Sequence, residues 1–108
     1  MQFQQLVWEI DEDNHKDFLE NELAVLNFFF DWHMNCLMIL PVIDSLAEEF
    51  EGKIFFGKVN IGECESLAEK WNIKKVPSII IFRKGEMIDR IDSISNEEVL
   101  RERICCLV

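Results

Sequence analysis

Four cysteines, at positions 36, 64, 105 and 106, are the residues of this 108-residue chain best suited to covalent or metal chemistry. No two of them stand two residues apart, so the spacing offers neither a zinc knuckle nor a dithiol redox pair. In a reducing compartment such thiols stay free. His33 precedes Cys36 by three residues, a spacing that puts two side chains on one helical face. Three readings of His33 stand side by side. It is an exposed residue at a helix start, or a hydrogen-bond partner that raises the thiolate fraction of Cys36. In the third reading it shares a metal or iron–sulfur cluster with Cys36, and two ligands alone do not fill such a site, so a second chain or an outside thiol would be needed. Cys64 reads as one small buried residue near a helix start. Cys105-Cys106-Leu107-Val108 has the shape of a prenylation box but lacks a preceding polybasic run, and it reads equally as the end of an amphipathic helix.

The elements that must position these residues are visible as changes of hydrophobic period. Gln5–Ile10 is extended in pattern, and Asp13-Asn14 can cap a short helix running through Phe18 and Leu19. Leu23–Phe30 is apolar apart from Asn27, as in a strand buried on both faces of a sheet. After Trp32 the period becomes helical, with Cys36, Ile39, Leu40, Ile43, Leu46, Ala47 and Phe50 on one stripe, and Pro41 should kink the helix. Lys53–Ile61 is a second buried strand, and Leu67, Ala68 and Trp71 mark a short helix from near Glu63. Ser78–Phe82 is a third strand, turned at Gly85 into Met87–Ile91. Ser95 and Glu98 form a capping box for a last helix with Leu100, Ile104, Leu107 and Val108 on its stripe. The order β-α-β-α-β-α-β-β-α predicts an α/β fold, a mixed sheet of four to five strands flanked by four helices, in one domain over residues 1–108.

The formal charge of −10 is spread along the chain, which argues against nucleic-acid binding, since that needs a basic patch. The apolar runs Leu37–Val42 and Phe28–Phe30 are too short to span a membrane, and no signal-peptide pattern opens the chain. The expectation is a soluble cytoplasmic protein, a monomer or weak dimer, with neither membrane nor nucleic acid as partner.

Element order and local motifs together resemble the thioredoxin family from about Leu23 to Leu100. Asp31-Trp32 followed by Cys36 and Pro41 is similar to the family's active-site strand end and kinked helix. Val59-Asn60-Ile61 resembles its next strand, with Lys58 at the place of a buried lysine. Val76-Pro77-Ser78 resembles the loop whose proline is cis in the family, and Phe82–Gly85 its hairpin. The resemblance implies a groove beside Pro77 that holds an extended peptide or a protein thiol partner, lined by Trp32, Met34, Val76, Pro77 and Asp92, with Cys36 and His33 as the chemical residues. It implies no cofactor and no resident metal. A cysteine in the first helical turn gains from the helix dipole and free N–H groups, which favour thiolate.

The departures from the family pattern bear on that chemistry. Thiol–disulfide exchange needs one thiolate to attack and another to resolve the mixed disulfide. His33 occupies the position that attacks in the family, and Cys36 the position that resolves. The family's buried aspartate corresponds to Asn27, an amide unable to take up a proton, and its groove glycine corresponds to Asp92. The resemblance therefore implies a protein without dithiol reductase activity, serving in partner binding or single-thiol redox sensing through Cys36. The alternatives are a single-thiol oxidoreductase that borrows an external resolving thiol, and an iron–sulfur carrier bridged by two chains. Met34 and Met38 are expected to pack, with an exposed Met34 on a binding surface as the alternative, and Trp32 to lie half in the core and half on the groove rim.

Overall fold

The computed structural model describes residues 6–92 and 97–108. The elements are β1 (Val7–Glu9), α1 (His15–Phe18), β2 (Leu23–Phe29), α2 (Met34–Glu49), β3 (Phe55–Asn60), α3 (Glu65–Lys70), β4 (Ser78–Arg83), β5 (Glu86–Asp92) and α4 (Glu97–Cys105). Their order is the expected one. Five strands form a single mixed sheet in the order β1-β3-β2-β4-β5. β1 and β2 run parallel to β3, whereas β4 is antiparallel to both β2 and β5.

β2 is the central strand, and all seven of its residues are buried. Alternate side chains go to opposite faces. Leu23 and Val25 join Val7, Phe56, Ile79 and Ile81 in one core, which α2 closes with Ile39, Ile43 and Leu46 and α4 with Leu100 and Ile104. Leu26 and Phe28 join Ile80 and Phe82 in the other core, against Phe18 of α1 and Leu67 of α3. Each such side chain contributes about 1.5–3 kcal/mol on burial, so the sheet faces dominate the stability of the fold. The turn from β4 to β5 takes two residues, Lys84 and Gly85, both at positive φ, which matches the twist of the hairpin.

Local details differ from expectation where a polar side chain had a choice of partner. Asn14 sits at the start of α1 but does not cap it. Its Oδ1 accepts the Asp11 N–H (2.8 Å), while Asp11 Oδ1 accepts the N–H groups of Asp13 and Asn14. α2 continues without a break through Pro41, whose missing N–H leaves the Leu37 carbonyl without its helical donor. α4 ends at Cys105, and Val108 is exposed rather than on the buried stripe. The capping box expected at Ser95 lies outside the described residues. Arg101 pairs with Glu49 and Arg103 with Asp89, tying α4 to α2 and to β5.

Gly57, in the middle of β3, is crowded by side chains from the end of β1, from α1 and from β2. A Cβ there would lie 2.6 Å from Ile10 Cγ1, 3.0 Å from Phe18 and 3.1 Å from Leu26. Gly57→Ala should therefore lower stability by about 1–3 kcal/mol through overpacking. Urea unfolding measures it, and an unchanged midpoint would mean that the β1–α1 layer yields freely.

Candidate functional site

The carboxyl ends of the central strands are where an open α/β sheet exposes its chemistry. β2 ends at Phe29, and Phe30-Asp31-Trp32 carries the chain over to His33, which takes the N-cap position of α2. Phe28 lies level with Ser78, and Ser78 with Asp92, so the Pro77 loop emerges beside the same strand end. The Val76–Pro77 peptide bond is cis, with Pro77 buried and Val76 half-buried.

Cys36 lies in the first turn of α2 with no exposed surface. Burial pushes its thiol above the ordinary value of 9.0, and a backbone hydrogen bond from Phe30 offsets only part of that. Desolvation thus outweighs the stabilisation of thiolate expected from the helix start. His33 does not activate Cys36 through Nδ1, which is enclosed without a hydrogen-bond partner. The extended backbone of His33 also places it before the helix rather than on its face. Among the described residues no three histidine, cysteine or carboxylate side chains converge as metal ligands.

Trp32 and Met34 are 72% and 68% exposed, and Trp32 stacks on Phe30 with ring centroids 5.0 Å apart and 22° between planes. Trp32 is thus a surface residue rather than half core. Met34 and Met38 do not pack either, because the stripe that faces the core is taken by Cys36, Ile39 and Ile43. Asp92 is exposed, and its carboxylate is engaged. It accepts Ser78 Oγ at 2.9 Å and Arg90 Nε at 3.2 Å. Burial raises its pKa, but the Ser78 and Arg90 hydrogen bonds, with the charges of Arg90 and Lys75, hold it below the usual carboxylate value. Arg90 also donates to the carbonyls of Trp71 and Asn72, and the one hydroxyl proton of Ser78 is shared between Asp92 and the Lys75 carbonyl. Arg90 therefore ties residues 71 and 72 to β5, and Asp92 holds Arg90 and Ser78 in place.

Asn27 is fully buried beside Lys58 of β3, and neither its amide nitrogen nor its oxygen has a partner. Lys58 lines a cleft of about 560 Å³ together with Glu9, Asp11, Asp31, Glu63 and Cys64. The sequence reasoning missed this cleft, because its carboxylates come from three separate strand ends. Cys64 is buried, donates weakly to the Ile10 carbonyl (3.8 Å), and has its thiol raised by burial and then by Glu12 and other nearby carboxylates. Cys105 and Cys106 are exposed.

The thioredoxin family model matches residues 6–105. The M-type chloroplast thioredoxin of Spinacia oleracea is 34% identical over 91% of this chain, which spans 55% of that protein's length. The thioredoxin of Chlamydia caviae is 30% identical, covering 84% of this chain and 88% of the relative. In structure, a mutant thioredoxin from Halobacterium salinarum superposes with a TM-score of 0.83 at 24% identity, over 90% of this chain and 86% of the other. The chain thus spans about half the length of the chloroplast relatives but most of the bacterial one.

Two predictions follow from the buried groups. Alkylation with iodoacetamide at pH 7, read by mass spectrometry, should label Cys105 and Cys106 and leave Cys36 and Cys64 unmodified, and Cys36 should need a higher pH than an ordinary thiol to gain reactivity. Rapid labelling of Cys36 at neutral pH would contradict its burial. Asn27→Leu removes two unpaired buried polar atoms and should raise stability by about 1–3 kcal/mol. A fall in the urea midpoint would instead reveal an ordered partner for the amide.

Proposed function

The chain belongs to the thioredoxin family, a family of redox proteins, and from that premise we propose that it is a partner-binding thioredoxin-like domain without dithiol–disulfide exchange. It holds a protein or peptide at the surface formed by Trp32, Met34 and the Val76–Pro77 loop. The observation that carries this reading is the pairing of an exposed Trp32 and Met34 with a Cys36 that has no exposed surface. Exchange requires an accessible thiolate and a second thiol to release the product. The motif holds His33 where the attacking thiol would be, and burial favours the protonated form of the one that remains. Binding needs neither.

A single-thiol sensor is the second reading, favoured by the Phe30 backbone hydrogen bond that stabilises the Cys36 thiolate. It requires the first turn of α2 to open before an oxidant or an external thiol can reach the sulfur.

Insulin reduction driven by dithiothreitol separates these readings from catalysis. The native chain should accelerate it no more than Cys36→Ser does, while His33→Cys, which restores two thiols two residues apart, should give a measurable rate. A rate in the native chain that vanishes in Cys36→Ser would overturn the proposal.

A further inference from the structure

The solvent face at the start of α2 carries no charge. From Met34 to Ile43 there is no charged residue, and the helix becomes acidic only at Asp44. Met34, Leu37 and Met38 are 68%, 45% and 68% exposed, at helical spacing on one stripe that continues to the exposed Pro41. Trp32 extends the stripe past the helix start. The opposite face of α2 is already buried in the core. A helix that is apolar on both faces is normally covered on both, and a connected apolar patch of this kind marks an interaction site.

The charges around the patch select the occupant. Residues 29–31 border two hollows, with Phe29 and Asp31 lining one and Phe30 the other. The first is the cleft of about 560 Å³ that holds Glu9, Asp11, Asp31 and Glu63 against Lys58. The second, of about 240 Å³, holds Glu65 and Glu69. Lys74 and Lys75, on the Pro77 loop, line neither hollow. An anionic bilayer or a second copy of this chain, itself at −10, is repelled by such a rim. A polypeptide that alternates apolar and basic side chains satisfies both the patch and the rim.

Resting on the binding reading above, we propose that the Trp32–Met38 patch docks a basic, apolar polypeptide segment. Its aliphatic or aromatic anchors cover Trp32, Met34 and Met38, whose thioethers adapt to different shapes. Its lysines or arginines enter the two carboxylate hollows that residues 29–31 border, and an arginine can lie over the exposed Trp32 ring.

The test uses the full chain and two fluorescein-labelled peptides on one leucine-rich scaffold, one bearing lysine and the other glutamate at its polar positions. Anisotropy should show binding of the lysine peptide, weakened about tenfold by moderate salt. Met34→Ser with Met38→Ser should weaken it about tenfold or more. Asp31→Asn with Glu63→Gln should also weaken it about tenfold, whereas Glu86→Gln with Glu102→Gln, an equal change of charge far from the patch, should move it less than about twofold. All these positions are exposed, and circular dichroism confirms that each variant folds. Equal binding of the glutamate peptide, or equal effects of the two charge pairs, overturns the cationic assignment and leaves the binding reading intact. Failure of both peptides to bind, self-association seen by sedimentation, or capture by phosphatidylglycerol vesicles overturns it as well. The binding reading itself falls on the separate observation of a Cys36-dependent rate of insulin reduction.

Discussion

β2 has solvent on neither face, and the position of every group at the candidate site follows from that. Seven consecutive buried residues leave the strand one register against β3 and one against β4. A slip by one residue would exchange the Val25 and Leu26 faces and bury the wrong set in each core. With the strand pinned, Phe30 emerges at one point, Trp32 stacks on it, and α2 begins from a fixed origin. The antiparallel pairing with β4 brings the Pro77 loop to the same end. Even the unpaired amide of Asn27 is tolerated only because six apolar neighbours on the strand outweigh its cost.

Much of this was legible from the chain, because hydrophobic period reports burial and burial drives the fold. The runs around Leu23–Phe30 and Ser78–Phe82 read as strands, and the helical stripe from Cys36 to Phe50 predicted the inner face of α2. The misses share a cause: side chains that pattern cannot assign to one partner. Asn14 and Asp11 accept each other's backbone N–H near α1 in place of the expected cap. Met34 and Met38 looked like core because methionine is apolar, yet the core face of α2 was already filled. Asp92 looked like an intrusion into a groove, and only the register of β4 and β5 reveals Ser78 and Arg90 as its partners. The acidic cleft draws on β1, β3 and the 31 and 63 turns, which no window of sequence joins. The uncharged stretch from Met34 to Ile43 was the one signal of an exposed apolar face available beforehand.

At Cys36 two opposing effects meet. A helix start stabilises a negative charge by roughly 0.3–1 kcal/mol, up to about 2 in favourable geometry. Removing an ion from water costs several kcal/mol even after relaxation. Full enclosure therefore decides the outcome, and the thiol stays protonated at neutral pH whatever the dipole contributes. The same comparison explains why His33 adds nothing through an enclosed Nδ1 that meets no acceptor. Reactivity at this position would require exposure before it required a better base.

That requirement connects Cys36 to the surface around it. A protein that exchanges disulfides must leave its attacking sulfur open, so the residues beside it are constrained to keep a path to solvent. With Cys36 sealed on the inner face of α2, the exposed groups around it include a stacked tryptophan, three apolar side chains on a charge-free stripe, and carboxylates in the hollows beside them. Apolar area supplies affinity without direction, whereas the acidic rim rejects anionic surfaces at a distance set by the Debye length. In the proposed reading, the rim selects a partner by charge and the patch retains it by burial. Neither step involves a change at sulfur, so the proposed binding role is compatible with a Cys36 enclosed by the same packing.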